Sequence, residues 1–305
     1  MYLAIEFGGT KLQMALGEGN GKLAALWREK IDPAKGAEGI RRQIEAGLPG
    51  FLAQNGITSA SNNLLGAGIG FGGPVDTNSG ETITSHQIQG WDRYPIVEWL
   101  RGLLKAQGFG SAPVHLGNDA DVAGLGEAVH GAGQGANPVF YVTVGSGIGG
   151  GLILDGRIHP GVGLGAAEIG HLTLGPGGDI LEHHASGWGI QKRYRKGSGG
   201  ENATVPQIAE LAKSGDTVAA EVLSGAIRDL AWGLCQVIAL ICPKRIVIGG
   251  GVSLLGEATF FKPLRAEVSK QVFRPYVGLT EIVSATLGEE VVLHGALALA
   301  TQPDK

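Results

Sequence analysis

A chain of 305 residues is too long for one small core and suits two domains, and its 43% hydrophobic content can bury both. The formal net charge of −4 is spread without a long run of either sign, so neither a nucleic-acid partner nor a membrane surface is expected. Glycine is the outlier. Its 54 residues are more than twice the ~7% of ordinary proteins, and several follow apolar strand patterns directly, which suggests backbone approaching a ligand.

Met1 leads straight into a strand pattern, Tyr2–Phe7, with no basic leader and no cleavage site, so a cytoplasmic location is expected. Gly8-Gly9 turns into a second strand, Leu12–Leu16, and Gly17–Gly21 turns into a third, Lys22–Lys30. A helical pattern over Ile40–Ala53 precedes the strand Leu65–Phe71, which ends in Gly72-Gly73-Pro74. Helical patterns follow at Ile96–Ala106 and Ala120–Val129.

The same plan then begins again. Phe140–Val144 is a strand, Gly145-Ser146-Gly147 a turn, Gly151–Leu154 a strand and Asp155-Gly156 a hairpin turn. The basic cluster Lys192, Arg193, Arg195 and Lys196 reads as a solvated helix face. Helical patterns cover Val205–Lys213 and Val218–Ile241. The apolar stretch Leu230–Cys242 holds both cysteines, Cys235 and Cys242, which read as core thiols of a reducing compartment. That stretch is shorter than the ~20 residues of a membrane span. Arg245–Ile248 is a strand ending in Gly249-Gly250-Gly251, and helical patterns at Pro263–Val272 and Glu289–Ala300 close the chain. Two stretches with one order of strands and glycine turns predict a duplicated α/β module. The expected domains are 1–117 plus 286–305, the smaller, and 118–285, the larger, with a ligand cleft between them.

The segment Ala4-Ile5-Glu6-Phe7-Gly8-Gly9-Thr10-Lys11 resembles the first phosphate loop of the ROK family, a group of bacterial sugar kinases and related repressors. Val144–Leu152, Gly161, Ala167, Gly170 and His171 fall at that family's signature spacing. Asn118-Asp119-Ala120-Asp121 resembles its catalytic segment, Glu168-Ile169-Gly170-His171 and Leu181-Glu182 its sugar-binding segments, and Ile246–Ser253 its adenosine-side strand and turn. The resemblance implies a two-domain actin-like ATPase (ribonuclease H-like) fold with a duplicated mixed-sheet module. It implies an ATP- and Mg2+-dependent hexose kinase, active as a homodimer, with glucose the leading substrate. A fructokinase or N-acetylhexosamine kinase of the same family is the alternative, as is a sugar-sensing relative of the repressors without DNA binding.

Under that resemblance each residue type has chemistry suited to its place. Phosphoryl transfer needs positioning and charge neutralisation more than covalent chemistry. Gly8, Gly9, Thr10 and Lys11 from one half and Gly145, Ser146 and Gly147 from the other bring backbone N–H groups, hydroxyls and a cation to phosphate oxygens. Gly249, Gly250 and Gly251 form a turn with no side chain to obstruct a nucleotide. Asp119 is the expected general base; heading the helix as its cap is the competing role. Asp121 reads as a first-turn helix charge. Gly73, Asn118, Asp119, Glu168, His171 and Glu182 are expected to hold the sugar. Gly145, Gly147 and Gly150 also fit a dinucleotide fingerprint, but a hairpin follows where that motif needs a helix.

Two positions depart from the family pattern. Glu6 stands where many members carry aspartate, and is expected to reach Mg2+ through water. The cysteine-rich zinc loop of many members is replaced by Leu174–Leu181, which is shorter and has no cysteine. No structural zinc is therefore expected, and hydrogen bonds from this loop are expected to fix the His171 ring in its place.

Overall fold

The computed structural model describes every residue except Gly9, Thr10, Asn62, His86, Asp304 and Lys305, and all of Lys11 but its side chain. The strands are β1 (Tyr2–Phe7), β2 (Lys11–Gly17), β3 (Leu23–Lys30), β4 (Gly66–Phe71), β5 (Val75–Asp76), β6 (Glu81–Thr82), β7 (Val114–Asn118), β8 (Val139–Val144), β9 (Ile148–Leu154), β10 (Arg157–Ile158), β11 (Arg245–Gly249) and β12 (Glu281–Ser284). The helices are α1 (Gly36–Gln54), α2 (Ile96–Ala106), α3 (Asp119–His130), α4 (Leu181–Ala185), α5 (Gly187–Gly197), α6 (Val205–Lys213), α7 (Thr217–Ile241), α8 (Lys262–Gln271) and α9 (Val291–Ala300).

Two five-stranded mixed sheets share one plan. The first has the order β3-β2-β1-β4-β7 and the second β10-β9-β8-β11-β12. In each, the central strand pairs antiparallel with the next strand in sequence and parallel with a strand that returns after a helical crossover. This is the arrangement a duplicated module produces. β1 and β8, flanked on both sides, are apolar along nearly their whole length, as central strands covered on both faces must be. β3, at an edge, instead alternates half-buried and exposed residues.

By contacts the chain forms two compact units. One comprises Met1–Gln134, Gly156–Ala166 and Leu287–Lys305, the other Gly135–Asp155 and Ala167–Thr286. In the first unit, α9 lies across β1 and β4. The glycines of β4 make this possible. Gly66, Gly68 and Gly70 recur with the strand period of two and meet Ala300, Ala296 and Val292, which recur with a helix spacing of four. A Cβ on Gly68 would overlap the Ala296 carbonyl, and one on Gly66 would lie 2.9 Å from the Ala300 oxygen. These glycines serve helix–sheet packing. The boundary drawn from sequence at Gly117 left α3 outside this unit. Contacts group it inside, because Gly126 and Gly295 strip side chains from the seam where α3 meets α9.

In the second unit, Phe140, Val142 and Val144 of β8 and Ile246 and Ile248 of β11 form a core with Leu230, Leu234 and Ile238 of α7. The helix α7 runs 25 residues, well beyond the apolar stretch that the sequence marks out, and is long and apolar enough by length and composition to cross a membrane. Its apolar face is buried in this core, and Cys235 packs there too, its thiol pushed up to about 11 by burial. The basic cluster lies on α5. Lys192, Arg195 and Lys196 are exposed, but Arg193 is half-buried and donates to the His184 carbonyl at 3.3 Å.

Candidate active site

In the first unit the predicted residues gather where β1, β4 and β7 end side by side. Asn118 is the N-cap of α3. Its Oδ1 accepts from the Ala120 N–H at 2.8 Å, and its Nδ2 donates to the Gly73 carbonyl at 2.9 Å, which ties the head of α3 to the turn after β4. Asp119 follows it. One carboxylate oxygen also accepts from Ala120 N–H at 2.8 Å, and the other faces Gly72, where a Cβ would lie 3.5 Å away. The Gly72 N–H donates to the Phe7 carbonyl at 2.9 Å, so Gly8 is drawn to the same corner. With Asn118 as the cap, Asp119 is held at the positive end of α3, half-buried and pointed at a glycine turn.

Glu6 lies under this corner, 8% exposed. Its Oε2 accepts from Gln13 Nε2 at 2.6 Å, Gln13 Oε1 accepts from Arg28 Nε at 2.5 Å, and Arg28 pairs with Glu290. Gln13, which the sequence does not single out, lies opposite Glu6 in the register of β1 and β2. A buried carboxylate with one oxygen already engaged suits Mg2+ contact through water better than direct ligation. Gly9, Thr10 and the Lys11 side chain, all expected at the phosphates, lie outside the described residues; the Lys11 backbone pairs with Lys30 in the hairpin.

In the second unit the turn between β8 and β9 is tightly held. The Gly145 N–H donates to the Gly147 carbonyl at 2.9 Å, and the Gly145 carbonyl accepts from Gly187 N–H, at the start of α5, at 2.7 Å. The Gly145 N–H is thus spent inside the turn and is not the phosphate donor expected of it. Among the described residues, the N–H groups of Ser146 and Gly147 have no protein acceptor. The turn after β11 lies alongside. Gly250, at φ +84°, packs on the Val144 backbone, and Val252 N–H donates to the Val144 carbonyl at 2.9 Å. Nothing lies within 4 Å of a Cβ at Gly251. Gly145–Gly147 and Gly249–Gly251 are therefore brought together at the ends of neighbouring parallel strands.

Glu182, expected at the sugar, also reaches this turn. Its Oε2 accepts from Ile148 N–H at 2.8 Å and lies 2.5 Å from where a Cβ on Gly147 would be. Glu168 caps and His171 ends a 3-10 turn, Ile169–His171, seated on β9 through Gly170, and both residues are exposed. The loop that follows does not hold His171 as expected; no hydrogen bond of its ring is found among the described residues. Thr173 bridges Ile180 instead, and the Leu174 N–H donates to Asp179 O at 2.7 Å. The Asp179 carboxylate meets His183 Nδ1 at 2.8 Å and His184 Nε2 at 2.7 Å, and His184 Nδ1 meets Asp229 at 3.0 Å. The bonds to His184 and His183 hold the Asp179 carboxyl down at about 2. Asp179 precedes His183 by one helical turn, a spacing that could have revealed this pairing. Among the described residues no group of three or more His, Cys, Asp or Glu side chains is placed to hold a metal.

Two mixed α/β modules with glycine turns at the ends of their parallel strands define a protein of the actin-like ATPase fold. The model of the ROK family matches residues 2–303, and the chain belongs to that family. It stands with the family's sugar kinases. It is 28% identical to a glucokinase of Halalkalibacterium halodurans over 99% of this chain and 96% of the relative. Among solved structures, a ROK hexokinase from Thermus thermophilus matches with a TM-score of 0.84 at 27% identity, over 98% of this chain and 97% of the other. A ROK glucokinase from Streptomyces griseus, solved with glucose and AMPPNP, matches with a TM-score of 0.76 at 27% identity over 99% of both chains.

Proposed function

We propose that this chain is an ATP-dependent hexose kinase with glucose as its leading substrate and Asp119 as the general base. The observation that carries the reading is the setting of Asp119: a half-buried carboxylate at the head of α3, turned to the glycine end of β4 while Asn118 takes the cap. The kinship with a glucokinase that binds glucose and an ATP analogue supports the substrate pair.

In this reading the sugar hydroxyl gives its proton to the Asp119 carboxylate as its oxygen forms a bond to the γ-phosphorus. The bond from that phosphorus to the bridging oxygen breaks, and ADP leaves with the electron pair. MgATP is the co-substrate, and Glu6 would hold a water of its Mg2+. The Ser146 and Gly147 N–H groups donate to phosphate oxygens, and the open turn at Gly251 leaves room for the nucleoside. Sugar-hydroxyl roles fall to Gly73, Asn118, Glu168, His171 and Glu182. Glu182 has a second task, since its bond to Ile148 N–H steadies the phosphate turn.

The test is Asp119→Asn, which keeps the shape and removes the proton acceptor. Turnover on the best sugar of a hexose panel should fall at least ~100-fold, the size of a general-base contribution, while sugar affinity is largely kept. Turnover near that of the wild type would remove Asp119 from the reaction.

A further inference from the structure

From a cavity of about 610 Å3 in the first unit, we infer a second ligand site, one that binds a small phosphate monoester away from Asp119. The cavity opens along β7, the edge strand of the first sheet, and is walled by α2, the β5–β6 hairpin turn and the β10 segment. Its volume is that of an ordinary small-molecule pocket.

Charge selects the ligand. The chain as a whole is negative, yet Arg101 of α2 and Arg157 of β10 line this one cavity from separate elements. Neither has an ion-pair or hydrogen-bond partner among the described residues. A single unpaired surface arginine is ordinary. Two that line one concavity from separate elements offer an anion two guanidinium forks, whose geometry matches phosphate oxygens. Asp121 is the lone carboxylate of the lining. It is 5% exposed and already engaged within the protein. Asp121 lies in the first turn of α3, as read from the sequence, and is buried there.

The remaining walls fit a short polyol body. Thr77 and Ser79 line it from the hairpin turn, where the Thr77 hydroxyl donates to the Gly163 carbonyl at 3.1 Å and the Asp76 carboxylate accepts the N–H groups of Asn78 and Ser79 at 2.9 and 3.2 Å, which leaves the Thr77 oxygen as an acceptor. Val97, Leu116, Ile158 and Leu299 supply an apolar floor. Asp119 is not part of this lining.

The experiment is titration calorimetry on the full chain with two probes, inorganic phosphate and glycerol 3-phosphate. Saturable binding at one site per chain is expected. It should weaken about tenfold or more in the double variant Arg101→Gln, Arg157→Gln, as loss of charge-assisted hydrogen bonds requires, and persist in Asp119→Asn. Both arginines are exposed, so the double variant should keep its fold, and a melting curve checks this. Absence of saturable binding by either probe, or equal affinity in the folded double variant, would overturn the inference.

Discussion

Single residues here are set by partners as much as by type. Asn118 and Asp119 are chemically similar candidates for one cap, and the structure separates them by giving the Asn118 amide a second bond that a carboxylate cannot make, to the Gly73 carbonyl. Glu182 is expected at the sugar from the family resemblance alone, but its bond to Ile148 N–H depends on the absence of a side chain at Gly147. This yields a prediction. Gly147→Ala places a methyl 2.5 Å from the carboxylate oxygen, so Glu182 must swing away and leave Ile148 N–H unpaired. Loss of a hydrogen bond to a charged group is worth about 1.5–3 kcal/mol. Steady-state kinetics should therefore show KM for MgATP rising about tenfold, and the melting temperature should fall by a few degrees. An unaltered KM would mean that Glu182 does not shape the phosphate turn.

Elements pack through the gaps that small residues leave. The seam of α3 on α9 closes over Gly126 and Gly295, and its far end is fastened by the fully buried Glu127, which accepts N–H bonds from Ala132 at 2.7 Å and Leu287 at 2.8 Å. His130 at the end of α3 and His294 in α9 lie at the same seam. Burial, with a smaller contribution from His294, pushes His130 below its ordinary value of 6.5. Burial also lowers His294, against the opposing pull of the Gly21 backbone, Glu290 and Glu127. Both are thus favoured neutral in the folded chain. As pH falls through about 6.5 the unfolded chain takes up these protons first, so stability is lost on the acid side. The melting temperature should drop between about pH 7 and pH 5, and drop less in His130→Gln, His294→Gln. Parallel pH profiles for the two proteins would show that these imidazoles do not drive the loss.

At the scale of the whole molecule, the two sheets share an order that no residue-by-residue comparison of the halves makes obvious. What is repeated is the plan of hairpin, crossover and glycine-ended strand rather than the side chains. Family kinship leads to one prediction here, a homodimer. Light scattering should give a mass twice the 31.4 kDa of the chain, and a monomer mass across the working concentration range would reject it.

The strand and helix plan was largely legible from sequence because periods of two and 3.6 and glycine turns are properties of neighbouring residues. The spans of α2 and α6 fall where the pattern puts them, and α6 carries a capping box at Thr204 and Gln207. The short elements β5, β6, β10 and α4 have too few residues to show a period. The candidate catalytic and phosphate residues can be named through the family resemblance, since each lies in a contiguous motif; their roles are for the proposed experiments to test. What the glycines are for was decided only by tertiary structure. Gly66, Gly68 and Gly70 are small because α9, more than two hundred residues later, approaches their backbone; Gly251 is small with nothing opposite it. The burial of Asp121 and the placing of Arg101 and Arg157 on one cavity have the same origin. Each depends on which distant segments the fold makes neighbours, and no local pattern in the chain encodes that proximity.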